Sequence, residues 1–259
     1  MVTYVNCQQA LDLINKNLIK VTLKCLKEYK KDLSGSKAVL HISVGQEYHE
    51  GQKFLATIDS INAKFSQCDI MLCDTLQRHT LYITHPKIKN NEQFYQLALE
   101  EGDHWLERNK VAINNLKIPH KIYRWDYWLN DSEYESFRKK VDELYDSDLN
   151  YRQAIHDTIN IFVDRLKKRI DKNKFDFEYF FKVCLEYLKE ECAIIIPMWM
   201  RNEYDFIIYP RKRTLAMQAT YDRFVKPYFP KLLRGVYLKF DKRSKRSPFY
   251  QATVLEENV

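Results

Sequence analysis

Four side chains in this 259-residue sequence have types and spacings that could do chemistry. Ser43 ends an apolar run and is followed by Gly45, which permits close backbone approach, and both features suit a nucleophile. Tyr187 and Glu191 lie four residues apart in a helical pattern, so they share one face and could bind an ammonium group. Tyr209 ends another apolar run. Each feature alone is more often structural, since a serine at a strand end is usually a turn residue and Tyr209 equally suits a core.

The elements that must position these residues alternate along the chain. Short apolar runs predict strands over 37–44, 69–73, 120–128 and 205–209. Spacings of three and four predict helices over 54–65, 91–116, 132–146, 150–170 and 175–194. Strands separated by long helices imply parallel pairing through βαβ crossovers. We therefore expect an α/β fold: a single Rossmann-like domain over 1–259, with a mainly parallel sheet flanked by helices and its site at the carboxyl ends of strands.

Composition and missing motifs exclude several classes of protein. With 5 Gly and 7 Pro the chain is not disordered. The longest apolar run, 193–200, is far shorter than the roughly 18 residues that span a bilayer, and no secretory signal is visible, so we expect a cytoplasmic protein. The six cysteines form no CxxC pair, and the glycine-rich loops that bind dinucleotides or ATP are missing, so we expect neither metal nor cofactor.

The positive charge is concentrated near the C-terminus. Residues 1–200 contain 29 basic and 29 acidic residues, whereas residues 201–250 contain 13 basic and 4 acidic. The excess lies in two clusters, 211–213 and 242–246. Such clusters suit a phosphate backbone or an anionic membrane surface, and a merely solvated surface is about as probable from charge alone.

Five segments, taken together and in order, resemble motifs of the cyclodipeptide synthases. They are Leu-His-Ile-Ser-Val-Gly-Gln-Glu-Tyr at 40–48, Asp-Thr-Leu-Gln-Arg-His at 74–79, Glu-Gly-Asp-His-Trp-Leu-Glu-Arg-Asn at 101–109, Tyr-Leu-Lys-Glu-Glu at 187–191 and Ile-Ile-Tyr-Pro at 207–210. The resemblance implies a fold related to the catalytic domain of class I aminoacyl-tRNA synthetases. It also implies that two aminoacyl-tRNAs are used to build a cyclic dipeptide, a 2,5-diketopiperazine. The ATP-binding motifs of synthetases are missing here, which agrees with an enzyme that activates no amino acid itself.

The same resemblance implies roles for individual residues. Ser43 would take the first aminoacyl group as an ester in a ping-pong mechanism, Tyr187 and Glu191 would hold its α-ammonium, and Tyr209 would handle protons during ring closure. The substrate-binding residues would be Gly45, Gln46, Tyr187, Glu191, Tyr209 and Pro210. Gln46 and Tyr209-Pro210 fit the family pattern that has a variable residue three positions after the serine and proline after the second tyrosine.

The expected partners are two aminoacyl-tRNAs, with no membrane and no metal, and a tailoring enzyme that acts on the product. In some family members the helix at 91–116 is densely basic and binds tRNA, but here Arg108 and Lys110 stand among acidic residues. We therefore expect the C-terminal basic segment to be the main tRNA surface. The predicted tRNA contacts are Arg108, Lys110, Arg211, Lys212, Arg213, Lys242, Arg243, Lys245 and Arg246. The alternatives are a non-catalytic tRNA- or RNA-binding protein on a synthetase-like fold and, more weakly, a serine hydrolase.

Overall fold

Six strands form one sheet, in which five strands run parallel. The computed structural model describes residues 19–25, 33–88, 90–168, 175–229 and 233–242. The strands are β1 (Ile19–Lys24), β2 (Lys37–Ile42), β3 (Gln67–Leu72), β4 (Ile122–Arg124), β5 (Phe206–Tyr209) and β6 (Arg234–Lys242). Their order is β1-β6-β5-β2-β3-β4, and β1 is antiparallel to β6 while all other pairs are parallel. The expected α/β fold with a mainly parallel sheet is confirmed.

Helices pack on both faces of this sheet. They are α1 (Gly51–Asn62), α2 (Asn91–Asn114), α3 (Trp125–Leu129), α4 (Tyr134–Ser147), α5 (Leu149–Lys167), α6 (Phe177–Asn202) and α7 (Leu215–Thr220). Helices α1 and α2 share one apolar core with the sheet, while α3, the C-terminal part of α6 and α7 pack on the other face. Helices α4 and α5 form a third cluster against α6. In the described part of the chain, none of these helices combines the length and apolar character that crossing a bilayer requires.

The chain order of the strands creates a topological switch point between β2 and β5. From β2 the chain proceeds outward to β3 and β4, and it then returns to the opposite side of β2 to form β5 and β6. Loops after β2 and β5 therefore diverge and leave a crevice at the carboxyl edge of the sheet, where open α/β sheets bind ligands. Ser43 follows β2 directly, and Tyr209 is the last residue of β5.

Several boundaries differ from the sequence prediction. The strand expected over 120–128 is wrong beyond Arg124, because Trp125 and Trp128 are three residues apart and both enter the core from the short helix α3. Helix α6 runs eight residues past the expected end at residue 194, because residues 195–199 are all buried at the junction of two apolar clusters. Strands β1 and β6 were not predicted.

Candidate active site

Three hydroxyl groups meet where β2 and β5 end. The Ser43 hydroxyl lies 3.0 Å from the phenol oxygen of Tyr209, and that oxygen lies 3.2 Å from the phenol of Tyr48. Burial raises the pKa of the Tyr209 phenol, and the neighbouring Tyr48 adds to the shift. Tyr209 therefore keeps its proton at neutral pH and can both donate to and accept from Ser43.

Backbone and side-chain contacts hold the loop that carries Ser43. Gly45 has φ +76°, a conformation that favours glycine, so the chain can turn sharply just after the serine. The imidazole Nδ1 of His49 accepts the backbone N–H of Ser43 at 2.9 Å. The amide of Gln77 donates to the carbonyl of Val44 at 2.9 Å. The loop that carries Ser43 is thus fixed by contacts on both sides of the serine.

Tyr187 and Glu191 lie one turn apart on α6 and are both half-buried. Burial raises the pKa of the Glu191 carboxyl to about 8, and its Oε2 makes no hydrogen bond within the described part of the chain. Burial also raises the pKa of the Tyr187 phenol well above its usual value, and interactions with Glu191 and Tyr209 add to this shift. Tyr187 therefore lies within electrostatic reach of both Glu191 and the strand-end Tyr209, and one oxygen of the Glu191 carboxyl makes no hydrogen bond to the described residues.

The neighbouring Glu190 anchors α6 to the turn Thr75–His79. It accepts hydrogen bonds from both terminal nitrogens of Arg78, from His79 Nε2 at 3.0 Å and from the indole of Trp125 at 2.9 Å. Burial acts to raise the pKa of Glu190, but the hydrogen bonds from His79 and Arg78 outweigh it and lower the pKa to about 2. The segment 74–79 therefore sets the rotation and depth of the helix that carries Tyr187 and Glu191.

Helix α2 supports the same region from the other side. Asp74 accepts from Arg124 Nε at 2.6 Å, and a Cβ at Gly102 would come within 2.5 Å of its Oδ2. Only glycine lets α2 approach this ion pair. Further along the helix, the Trp105 indole donates to the carbonyl of His49 at 3.0 Å. The segment 101–109 thus contributes packing and hydrogen bonds that locate the site.

The predicted tRNA contacts fall into distinct environments. Arg211 and Lys212 are exposed just after Tyr209-Pro210, and the Arg211 guanidinium lies 6.0 Å from the Tyr48 ring. Arg213 turns inward instead, 4.5 Å from the Tyr221 ring, where burial lowers its pKa. Packing against the rings of Tyr221 and Trp199 disfavours this guanidinium as a phosphate ligand, and the role of Arg213 in tRNA binding stays a prediction.

The other predicted tRNA contacts either pair with acidic neighbours or lie at and beyond the end of β6. Arg108 bonds Glu50 at 3.1 Å, and Lys110 lies 3.6 Å from Glu107, so the charges of α2 are neutralised locally. Lys242 is the last residue of β6, and the predicted contacts at 243, 245 and 246 lie outside the described residues.

Two residues that sequence reasoning missed belong to this site, Tyr48 and His49. Both lie in or beside the segment 40–48, but nothing in their spacing indicates that they contact Ser43 or Tyr209. Gln46 and Gly45 are exposed on the loop, and Pro210 is half-buried. Among the described residues, no three His, Cys, Asp or Glu side chains are grouped as a metal site would require.

Fold and site together define a class of protein: a Rossmann-like α/β domain with a serine at the switch point of its sheet and a helical carboxyl–phenol pair whose phenol interacts with the strand-end tyrosine. No family model matches the chain, and a search of the curated proteins finds no match either. A solved structure of a cyclodipeptide synthase (CDPS) from Fluoribacter dumoffii matches with a TM-score of 0.82 and 40% identity, covering 87% of this chain and 100% of that one.

This chain therefore belongs to the cyclodipeptide synthases, and the expected class of activity, an aminoacyl-tRNA-dependent aminoacyltransferase, is confirmed. More distant structures share the fold. The cyclodipeptide synthase from Candidatus Glomeribacter gigasporarum bound to Phe-tRNAPhe has a TM-score of 0.66 and 18% identity, covering 83% of this chain and 92% of that one. The structure of a Mycobacterium tuberculosis protein, which demonstrates that cyclodipeptide synthetases are related to type I tRNA synthetases, has a TM-score of 0.60 and 11% identity. It covers 86% of this chain and 93% of that one.

Proposed function

We propose that this chain builds a cyclic dipeptide from two aminoacyl-tRNAs through an aminoacyl ester on Ser43. The observation that carries the proposal is the hydrogen bond between the Ser43 hydroxyl and Tyr209 at the switch point of the sheet. Glu191 supports it further, because its Oε2 makes no hydrogen bond within the described residues and its neighbour Tyr187 lies within electrostatic reach of Tyr209. A protein that only binds RNA would need none of these groups together.

In the first step Ser43 Oγ attacks the aminoacyl carbonyl and the tRNA 3′-oxygen leaves. One ester replaces another, so the exchange is nearly isoenergetic and requires no ATP. The site must supply orientation and a route for the proton that moves from the serine to the leaving oxygen. We assign that route to the vicinal hydroxyl of the terminal adenosine, with the Tyr209 phenol holding the serine hydroxyl. His41, two residues before Ser43, is buried with its pKa lowered to about 3 by burial, and its Nε2 makes no hydrogen bond within the described residues.

Glu191 would bind the α-ammonium of the aminoacyl group. In the empty site its raised pKa of about 8 keeps the carboxyl largely protonated at neutral pH. An arriving ammonium favours the carboxylate, because an opposite charge nearby stabilises the ionised form. Tyr187, one turn away, would accept a second hydrogen bond from the same ammonium.

In the second half of the reaction the amine of the second aminoacyl-tRNA attacks the ester on Ser43. The amine must be neutral, and its proton passes to Glu191 or to the serine oxygen that leaves. The new dipeptide remains esterified to the second tRNA. Its free amine then attacks that ester and the ring closes. The tRNA 3′-oxygen that leaves takes a proton, and we assign this proton transfer to Tyr209, the phenol that contacts Ser43.

The tRNA surface that we propose begins at Arg211 and Lys212, which are exposed immediately beyond Tyr209. We also assign to it the basic cluster 242–246 of the sequence, with Arg108 and Lys110 as minor contributors because acidic neighbours pair with them. Gln46 and Tyr209-Pro210 support assignment to the family pattern with a variable residue after the serine. We further propose that residues 1–259 act as one domain in the cytoplasm, where aminoacyl-tRNAs are made, and that a tailoring enzyme modifies the product.

Mass spectrometry of medium from bacteria that overproduce the protein tests the function. We expect a new diketopiperazine, whose mass identifies the two amino acids. Ser43→Ala should abolish this product and also the covalent labelling of the protein by radiolabelled aminoacyl-tRNA. Full labelling of Ser43→Ala would remove Ser43 as the nucleophile, and a wild-type protein that makes no diketopiperazine would return the RNA-binding alternative.

Aminoacyl-tRNA binding at several salt concentrations tests the surface. Each lost phosphate contact should flatten the salt dependence by about 0.7 to 0.9 log units per log unit of salt. We expect neutralisation of Arg211 and Lys212 to weaken binding and flatten this slope more than neutralisation of Arg108 and Lys110. The reverse order would return the tRNA surface to helix α2.

A further inference from the structure

Two neighbouring side chains hold opposite ends of the proposed nucleophile, His49 by direct contact and Tyr48 through Tyr209. His49 Nδ1 accepts the backbone N–H of Ser43 at 2.9 Å, and the Tyr48 hydroxyl bonds the Tyr209 hydroxyl, which in turn bonds Ser43 Oγ. We propose that Tyr48 and His49 form a positioning clamp, in which His49 fixes the Ser43 backbone and Tyr48 fixes its hydroxyl through Tyr209. The clamp deepens the function proposed above and rests on the acyl-Ser43 intermediate.

The contact geometry of His49 defines what it can do. The ring is fully buried, and burial lowers its pKa to about 3, so the imidazole is neutral. Nδ1 lies 2.9 Å from the amide nitrogen of Ser43 but 3.3 Å from the carbonyl oxygen of the same residue. The shorter contact makes Nδ1 the acceptor and assigns the ring proton to Nε2. The Ser43 N–H is therefore committed to His49 and is not a donor for an oxyanion on the substrate.

The clamp itself is held by aromatic packing and by helix α2. The His49 ring meets the Tyr48 ring edge to face at 4.6 Å and the Tyr209 ring at 5.7 Å, so the three rings form one block beside the serine. The carbonyl of His49 accepts from Trp105 at 3.0 Å. A shift of either clamp residue would consequently move the groups that contact Ser43 at both ends.

Three substitutions separate positioning from folding. His49→Leu removes the acceptor but keeps a bulky apolar side chain, whereas His49→Asn places an amide oxygen where Nδ1 stands. Tyr48→Phe removes one oxygen atom and leaves the ring packing. Tyr228→Phe is the matched control, because Tyr228 is 72% exposed and lies outside the site.

The experiment measures single-turnover acylation of Ser43 by radiolabelled aminoacyl-tRNA, together with tRNA affinity and melting temperature. A displacement of about 1 Å costs about 100-fold in rate, so we expect His49→Leu and Tyr48→Phe to acylate about 10- to 100-fold more slowly, with tRNA affinity within twofold. His49→Asn should recover at least about tenfold of the His49→Leu loss, since the acceptor is restored. Tyr228→Phe should acylate at the wild-type rate.

Acylation by Tyr48→Phe within threefold of the wild type would overturn the clamp, and this criterion holds even if His49→Leu does not fold. His49→Asn that is no faster than an equally stable His49→Leu would also overturn it. A rate loss matched by an equal loss of tRNA affinity would show that Tyr48 binds tRNA instead. Failure of the proposed function would give a different result, because the wild-type protein itself would then form no acyl-serine. That result would also refute the clamp.

Discussion

Replacing Glu191 by Gln should stabilise the protein above neutral pH while abolishing its activity. The carboxyl is half-buried on α6, its Oε2 makes no hydrogen bond within the described residues, and burial raises its pKa from 4.5 to about 8. In the unfolded chain the same carboxyl ionises in water near its ordinary value. The folded state therefore retains a proton that the unfolded state has lost between these two pH values, so stability falls as the pH rises from 4.5 to 8.

The magnitude follows from the two pKa values. Linkage between a folded pKa of about 8 and an unfolded value of 4.5 gives a loss of about 2.3 kcal/mol between pH 6 and pH 8. Because Glu191 is only half-buried, solvent screens part of this cost, and we reduce it to about 1–1.5 kcal/mol. Glutamine has nearly the same shape and does not titrate, so the variant escapes the loss. At about 2–4 °C per kcal/mol, its advantage in melting temperature should grow by about 2–6 °C between pH 6 and pH 8.

Calorimetric melting of both proteins at pH 6 and pH 8 measures this difference. Glu178→Gln is the matched control on the same helix, since the Glu178 side chain is 82% exposed and its effect should be equal at both pH values. A Glu191→Gln advantage that does not change with pH would refute the argument, because it would show that the folded protein holds no extra proton at this site. Cyclic dipeptide formation by the variant at the wild-type rate would separately remove Glu191 from the mechanism.

Two further substitutions test the support of the site. Gly102→Ala should destabilise the fold by about 1–3 kcal/mol in denaturant unfolding, because its Cβ would approach Asp74 Oδ2 within 2.5 Å and Arg124 Nη2 within 2.7 Å, and unchanged stability would contradict that packing. Arg213→Met should leave the salt dependence of tRNA binding unchanged, because the guanidinium packs on Tyr221; a flatter slope would restore Arg213 to the tRNA surface.

Sequence patterns predicted the central elements well because those elements are buried on both sides. In β2, Ala38, Leu40 and Ile42 enter the core shared with α1 and α2, while Val39 enters the core on the opposite face. A continuous apolar run is what such a strand requires. The edge strand β1 and its neighbour β6 bury fewer side chains and carry charges between the apolar ones, so no comparable apolar run marked them.

The site was predicted only in part, for a physical reason. Ser43, Tyr187, Glu191 and Tyr209 belong to segments that resemble a family, and that resemblance identified them more than their own spacing did. The contact of His49 with the Ser43 amide depends on how the loop after β2 folds back, and six residues of sequence separation carry no signal of it. Burial and hydrogen-bond partners come from tertiary packing, which the pattern of residue types does not contain.

Tertiary packing shifts the pKa values of the adjacent residues Glu190 and Glu191 in opposite directions. Glu190 is 2% exposed and accepts hydrogen bonds from Arg78, His79 and Trp125. Burial acts to raise its pKa, but His79 and Arg78 outweigh it and lower the pKa from 4.5 to about 2. A folded pKa below the unfolded one contributes stability that is present above pH 4.5 and is lost as the pH falls towards 2.

Glu190→Gln leaves the Arg78 charge without its partner and should reduce the free energy of unfolding by about 3–5 kcal/mol. At pH 8 this variant should melt roughly 10 °C below the wild type, whereas Glu191→Gln should melt above it. A Glu190→Gln protein that melts within two degrees of the wild type would show that the Arg78–Glu190 pair does not anchor α6, and the assignment of opposite roles to these adjacent glutamates would fail.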